Sequence, residues 1–139
     1  MDSIENLSSV DEVIDFLIHS ASQEVIDNAC HDALLVLHFF PQLGPEFKTS
    51  PDIYEENIEE FKHSFDYEQL GLDRETTLQK IAKYRSIDRV LDVLVKMTPA
   101  KTKEELIRRY LLEVWFKQNS NGDLKHFKNS LKKDYWFKM

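Results

Sequence analysis

Glycine and proline are scarce in this chain, three and four residues of 139. So little punctuation argues against a fold of many short strands, because tight hairpins lean on glycine's left-handed backbone. Cysteine occurs once, as Cys30, which excludes an internal disulfide and, by itself, a thiolate zinc site. Its position in an apolar helical stretch suits a small buried hydrophobe better than a nucleophile. No apolar run approaches the roughly 20 residues of a membrane-spanning helix, and the acidic opening MDSIENLSS lacks a basic start ahead of an apolar segment. These absences lead to the expectation of a soluble, cytoplasmic protein. Also missing are a glycine-rich phosphate loop, a Gly-x-Ser-x-Gly elbow, paired-cysteine spacing and His-Glu-x-x-His, so no cofactor is expected.

What is present is helical patterning. Apolar residues make up 42% and aromatics 12%, enough for a buried core in one domain spanning 1–139. Ser9-Val10-Asp11-Glu12 reads as a capping box ahead of Val10, Val13, Ile14, Leu17 and Ile18 at helical spacing. A second helix from about Ser22 carries Val25, Ile26, Ala29, Ala33, Val36, Leu37 and Phe40, and its second half is apolar nearly all round. Pro41, Gly44, Pro45 and Pro51 predict a loop, after which Ser50 and Pro51 start a third helix that ends before Gly71. Asp73 caps a fourth helix with Leu78, Ile81 and Ala82, and Ser86 starts a fifth with Ile87, Val90, Leu91, Leu94 and Val95. A second capping box, Thr102 to Glu105, precedes Leu106, Ile107, Tyr110, Leu111, Val114 and Trp115. Asn121-Gly122 ends that helix, and Asp123 caps a last one with Leu124, Phe127, Leu131 and Tyr135 on one side. The fold class expected is all-α, a compact bundle or array of about six to seven amphipathic helices.

Charge is unevenly placed. Residues 1–68 hold two basic side chains, Lys48 and Lys62, against 16 acidic ones, whereas residues 69–139 hold 16 basic against nine acidic. The segment Ser50 to His63 concentrates the negative end with Asp52, Glu55, Glu56, Glu59 and Glu60. On a helical wheel Tyr54, Ile58, Phe61 and Phe65 span an arc of about 60°, and His63 lies about 180° from Tyr54 among the acids. Glu60 and His63 have the Glu-x-x-His spacing of bundle metal sites, but those ligands point into the core and here they point out. No metal site is expected there. Like charges at i and i+4, Glu55 with Glu59 and Glu56 with Glu60, cost a few tenths of a kcal/mol each. A face that tolerates this suits a basic macromolecular partner.

Other chemistry finds weaker footing. His31 and His38 sit about 10 Å apart along one helix, too far to share an ion bound at about 2 Å per ligand. His31-Asp32 resembles metal-dependent phosphohydrolases of the HD kind over two residues only, too short a match to carry a family. His19 is placed to pair locally with Asp15. Aligning Gly122 with the invariant glycine of a calcium loop puts Lys117 and Lys128 where carboxylates belong. Lys125, Lys128, Lys132 and Trp136 line one flank of the last helix, and Arg108 and Arg109 add charge nearby, a combination able to hold single-stranded nucleic acid. An overall charge of −7 disfavours that partner unless the patch is segregated.

The leading expectation is therefore a non-catalytic acidic protein-binding module, with Asp52, Glu55, Glu56, Glu59 and Glu60 engaging a basic protein. Inhibitors and immunity proteins that occlude nuclease toxins share this size and charge. The alternatives are a nucleic-acid adaptor using the basic carboxy-terminal helix and a metal-dependent enzyme assembled from histidines 19, 31 and 38.

Overall fold

Among the described residues the chain folds into seven helices: α1 (Val10–Ser20), α2 (Gln23–Leu34), α3 (Pro51–Ser64), α4 (Arg74–Ile81), α5 (Ile87–Met97), α6 (Ala100–Tyr110) and α7 (Leu124–Lys132). This computed structural model describes residues 4–40, 51–134 and 136, and for residues 51–57 the backbone alone. Among the described residues there is no strand, so the all-α class holds. Two helices change pitch without stopping: α2 widens to π-helical hydrogen bonding over Leu35–Phe39, and α6 does so over Leu111–Asn119. Short 3-10 turns at Ile4–Asn6 and Tyr67–Leu70 complete the described backbone elements.

Helix starts follow local chemistry. Side-chain oxygens of Ser9, Ser22, Asp73 and Asp123 each accept from a backbone amide two or three residues on, satisfying donors that the first turn leaves unpaired. At Ser9 the box is partly closed from the other side, because Glu12 accepts from the hydroxyls of Ser8 and Ser9 at 3.0 and 3.1 Å. The end of α6's π stretch uses Asn121 and Gly122, both with positive φ, and the Gly122 amide reaches back to the Phe116 carbonyl at 2.8 Å.

The third helix ends before Gly71, as expected: it stops at Ser64, and Asp66 accepts from the Glu68 amide to open a separate 3-10 turn that Gly71 closes in the left-handed region. Two other expected boundaries are corrected. α6 begins at Ala100 ahead of the Thr102 box: Pro99 bends the chain in an extended conformation and its carbonyl accepts from Lys103 at once. α7 ends at Lys132, and Tyr135, expected on its apolar side, lies outside the described residues, as does the loop expected from Pro41 to Ser50.

α2 is the hub. It packs against α6 on one side and α5 on another, while α1 and α7 lie on the π-helical extension of α6, and α3 and α4 lie against α5. Ala29, Cys30, Ala33 and Leu34 of α2 are all fully buried. Three of those four are small, and short side chains let neighbouring helix axes approach closely. α5 presents Val90, Leu91, Leu94 and Val95 as one buried stripe, each fully buried aliphatic contributing about 1.5–3 kcal/mol. A long-range ion pair fastens the same contact: Lys103 of α6, itself buried, donates to Asp27 of α2 at 2.8 Å. Burial pushes Asp27 up, but hydrogen bonds from Lys103 and Gln23 outweigh it and hold the carboxyl below its ordinary range. Cys30, at the same seam, has its thiol pushed up to about 12 by burial and is chemically quiet.

Filling the seam should be costly. Ala33→Leu is expected to lower unfolding free energy by about 1–3 kcal/mol, read as a lower urea midpoint with an unchanged slope.

Candidate docking surface

The acidic helix α3 is seated through its carboxy-terminal half. Ile58, Phe61 and Phe65 are buried, and the two phenylalanines stack at 4.9 Å between ring centroids. Phe39, from the π turn of α2, meets Phe61 edge-on at 5.6 Å, and Phe65 meets Tyr67 at 5.1 Å. Such edge-to-face contacts set ring orientation and add about 0.5–1.5 kcal/mol each beyond their buried area. Polar contacts lock the helix end. The Tyr67 hydroxyl donates to the Lys62 carbonyl at 2.6 Å, and Arg74 donates to the Phe65 carbonyl at 3.2 Å and to the His63 carbonyl. A guanidinium on terminal carbonyls also opposes the negative end of the helix dipole.

Lys62 decides the electrostatics of this surface. It is the one basic residue among the acids of α3 apart from His63, and its side chain is 3% exposed. The ammonium turns inward to the Tyr84 carbonyl at 2.5 Å and to the Glu59 carboxylate at 3.1 Å. Glu60, Glu59 and His63 are exposed, and among the described residues Glu60 has no ion-pair partner. Asp52, Glu55 and Glu56 belong to the same helix, and their side chains lie outside the described residues. So the structure keeps Glu59 and Glu60 at the surface, as expected, and withdraws one positive side chain from it.

The basic residues are distributed differently from the expected open patch. Lys132 pairs with Glu5, and Lys128 donates to the carbonyls of Leu7 and Glu5, so both tie the amino-terminal turn to α7. Arg108 pairs with Asp15 of α1 at 2.5 Å, and Arg109 pairs with Glu113 on its own helix at 3.1 Å. Trp136 is buried at 8% exposure, which removes the open ring face that base stacking needs. Its position beyond the end of α7, folded onto the core, overrides the helical spacing that would have placed it beside the lysines. Lys125 is exposed.

Each histidine has its own setting. His19 Nδ1 lies 2.7 Å from the Asp15 carbonyl oxygen, so its local partner is backbone and not the expected carboxylate. The His31 ring spans α2 and α5, with Asp32 at 3.6 Å from Nδ1 and Asp88 at 3.3 Å from Nε2. His38 stands edge-on to Phe65 at 5.2 Å, with Nε2 enclosed and without a hydrogen-bond partner among the described residues. Among the described residues no three of His, Cys, Asp and Glu are grouped as a metal ion requires. No helix among them is long and apolar enough to cross a membrane.

Comparison with known protein families, with characterised proteins and with solved structures finds no match to this chain. Geometry and electrostatics alone bear on its function.

The two inner histidines titrate in opposite senses. The hydrogen bond to Asp32, with the charges of Asp32, Asp92 and Asp88, raises His31 above its ordinary 6.5 despite partial burial. Its contribution to stability is therefore full below pH 6.5 and is lost as pH rises through the higher folded-state value. Burial, with Arg109 nearby, lowers His38, so its contribution is present above 6.5 and is lost as pH falls through the lower folded-state value. His31→Gln should cost more stability at pH 5.5 than at pH 8.5, and His38→Phe should reduce the loss on acidification, both read from urea midpoints across that range.

Proposed function

We propose that this protein is a non-catalytic acidic binding module that docks α3 onto a positively charged partner protein, in the manner of inhibitors and immunity proteins that occlude a nuclease. The observation that carries this reading is the inward turn of Lys62, whose ammonium reaches Glu59 from beneath and leaves exposed Glu60 with no ion-pair partner among the described residues. Two further observations support it. The long-range ion pairs that join the acidic and basic halves, Glu5 with Lys132, Asp15 with Arg108 and Asp27 with Lys103, fall on the amino-terminal turn, α1 and α2, and leave the described acids of α3 aside. Two of these pairs occupy Arg108 and Lys132, and Trp136 is buried, so a nucleic-acid adaptor would keep only part of the group set it needs.

In this reading the anionic residues are Asp52, Glu55, Glu56, Glu59 and Glu60, all of one helix whose Ile58 and Phe61 are fixed in the core. Such residues steer a basic surface into encounter and then compete with phosphates for its cations. Fixing the helix beforehand spares the ordering cost that a flexible acidic segment would bear on binding.

Charge reversal tests it. Glu55→Lys, Glu56→Lys and Glu60→Lys are combined, with Glu59 left in place because it holds Lys62. Partners retained by the tagged wild type from its source cell at about 50 mM salt are identified by mass spectrometry, and their association rates are measured. A basic protein whose association slows by about tenfold or more in the folded triple variant, with a flatter salt dependence, supports the proposal. The same partners with unchanged rates rule it out.

A further inference from the structure

Between the amino-terminal turn and α7 lies a cleft of about 460 Å³, lined by Glu5, Leu124, Lys125, Lys128, Asn129 and Lys132. That size falls within the range of small-molecule sites, roughly 300–1,000 Å³. Its chemistry differs from the rest of an acidic molecule. Lys125, Lys128 and Lys132, at i, i+3 and i+7 of one helix, run along about 10 Å of one side and face a single carboxylate.

How the three ammonium groups are used is informative. Lys128 lines the cleft and is held by the carbonyls of Leu7 and Glu5, which accept two of its three protons and fix its head. Lys132 is paired with Glu5, whose side chain is 65% exposed and so meets water at the edge of the cleft. Among the described residues the Lys125 ammonium has no ion-pair partner. The cleft thus holds one uncommitted cation, one cation occupied by an exposed internal carboxylate, and one fixed cation. Lys132 and Lys128 hold the Glu5 carboxyl below its ordinary range, as a local positive potential does to any anion seated there.

We propose that this cleft binds a small phosphorylated anion carrying at least two phosphate groups, and that Glu5 is the internal counter-ion which the ligand displaces. Two phosphates reach Lys125 and Lys132 on either side of Lys128, the Asn129 amide adds a neutral hydrogen-bonding group, and Leu124 offers an apolar seat for an organic portion. A small anion suits this surface better than a polymer. A nucleic-acid strand leaving the cleft would cross an acidic molecule of net charge −7, and Trp136, buried, gives it no ring to stack on.

Inorganic pyrophosphate is the probe, titrated into the full chain at constant ionic strength and followed by amide chemical shifts. Saturable shifts centred on residues 124–132 and the amino-terminal turn are expected. Lys125→Ala combined with Lys132→Ala should weaken binding by about tenfold or more, and Glu5→Gln should tighten it by about threefold, since the competing charge is gone. Shifts that never saturate, or an affinity unaltered by the double lysine variant, overturn the site. An affinity unmoved or weakened by Glu5→Gln overturns the counter-ion role. A short single-stranded oligonucleotide that binds more tightly than pyrophosphate, with shifts spreading to Arg108 and Arg109, overturns the small-anion assignment in favour of nucleic acid.

Discussion

Close approach of helices around the small side chains of α2 is the constraint from which the rest of the architecture follows. Ala29, Cys30 and Ala33 let α5 and α6 come near the same short helix, and the Lys103 to Asp27 bridge fixes the register of α6 upon it. Once those three helices are set, α6's extension supplies the ground on which α1 and α7 rest, and α5 supplies it for α3 and α4. A buried lysine is a demanding fastener, because removing its partner leaves a charge where water cannot reach it. The contact therefore specifies one arrangement more sharply than apolar packing would on its own.

The division of charge between the two halves of the chain survives folding in part. Among the described residues, long-range bridges cancel it locally at the amino-terminal turn, at α1 and at α2. The described acids of α3 take no part in those bridges, Glu59 pairing instead with Lys62 of its own helix, and the aromatic contacts of Phe39, Phe61, Phe65 and Tyr67 hold the end of α3 against the core. Oppositely charged side chains contribute to cohesion where helices cross, and Glu59 and Glu60 lie on the exposed side of α3.

Much of this was legible in the sequence, and the reasons differ by feature. The helices capped by Ser9, Asp73 and Asp123, and the stripe Val90, Leu91, Leu94 and Val95, are local or periodic signals that a chain carries openly. Glu59 and Glu60 fall outward for the same reason. What could not be read depended on partners distant in sequence. Lys62 on a wheel is simply another polar residue, and only the Tyr84 carbonyl, 22 positions away, turns it inward. Trp136 looked like a surface aromatic because its helix was extrapolated past Lys132, where the chain in fact leaves the helix and tucks the indole against the core. The widening of α2 and α6 to π-helical bonding carries no composition signal at all. The role of Arg74 in closing α3 had a faint one, a basic residue shortly after the helix, but nothing to say which carbonyls it would find.

Lys62 also has a consequence for reactivity. An amine acylates only when it sheds its proton and meets the reagent, and this one is enclosed with both a carbonyl and a carboxylate holding its protons. Covalent labelling of the native protein should therefore pass over it while decorating outward lysines such as Lys125, and an adduct at Lys62 would mark molecules in which α3 has lifted from its seat.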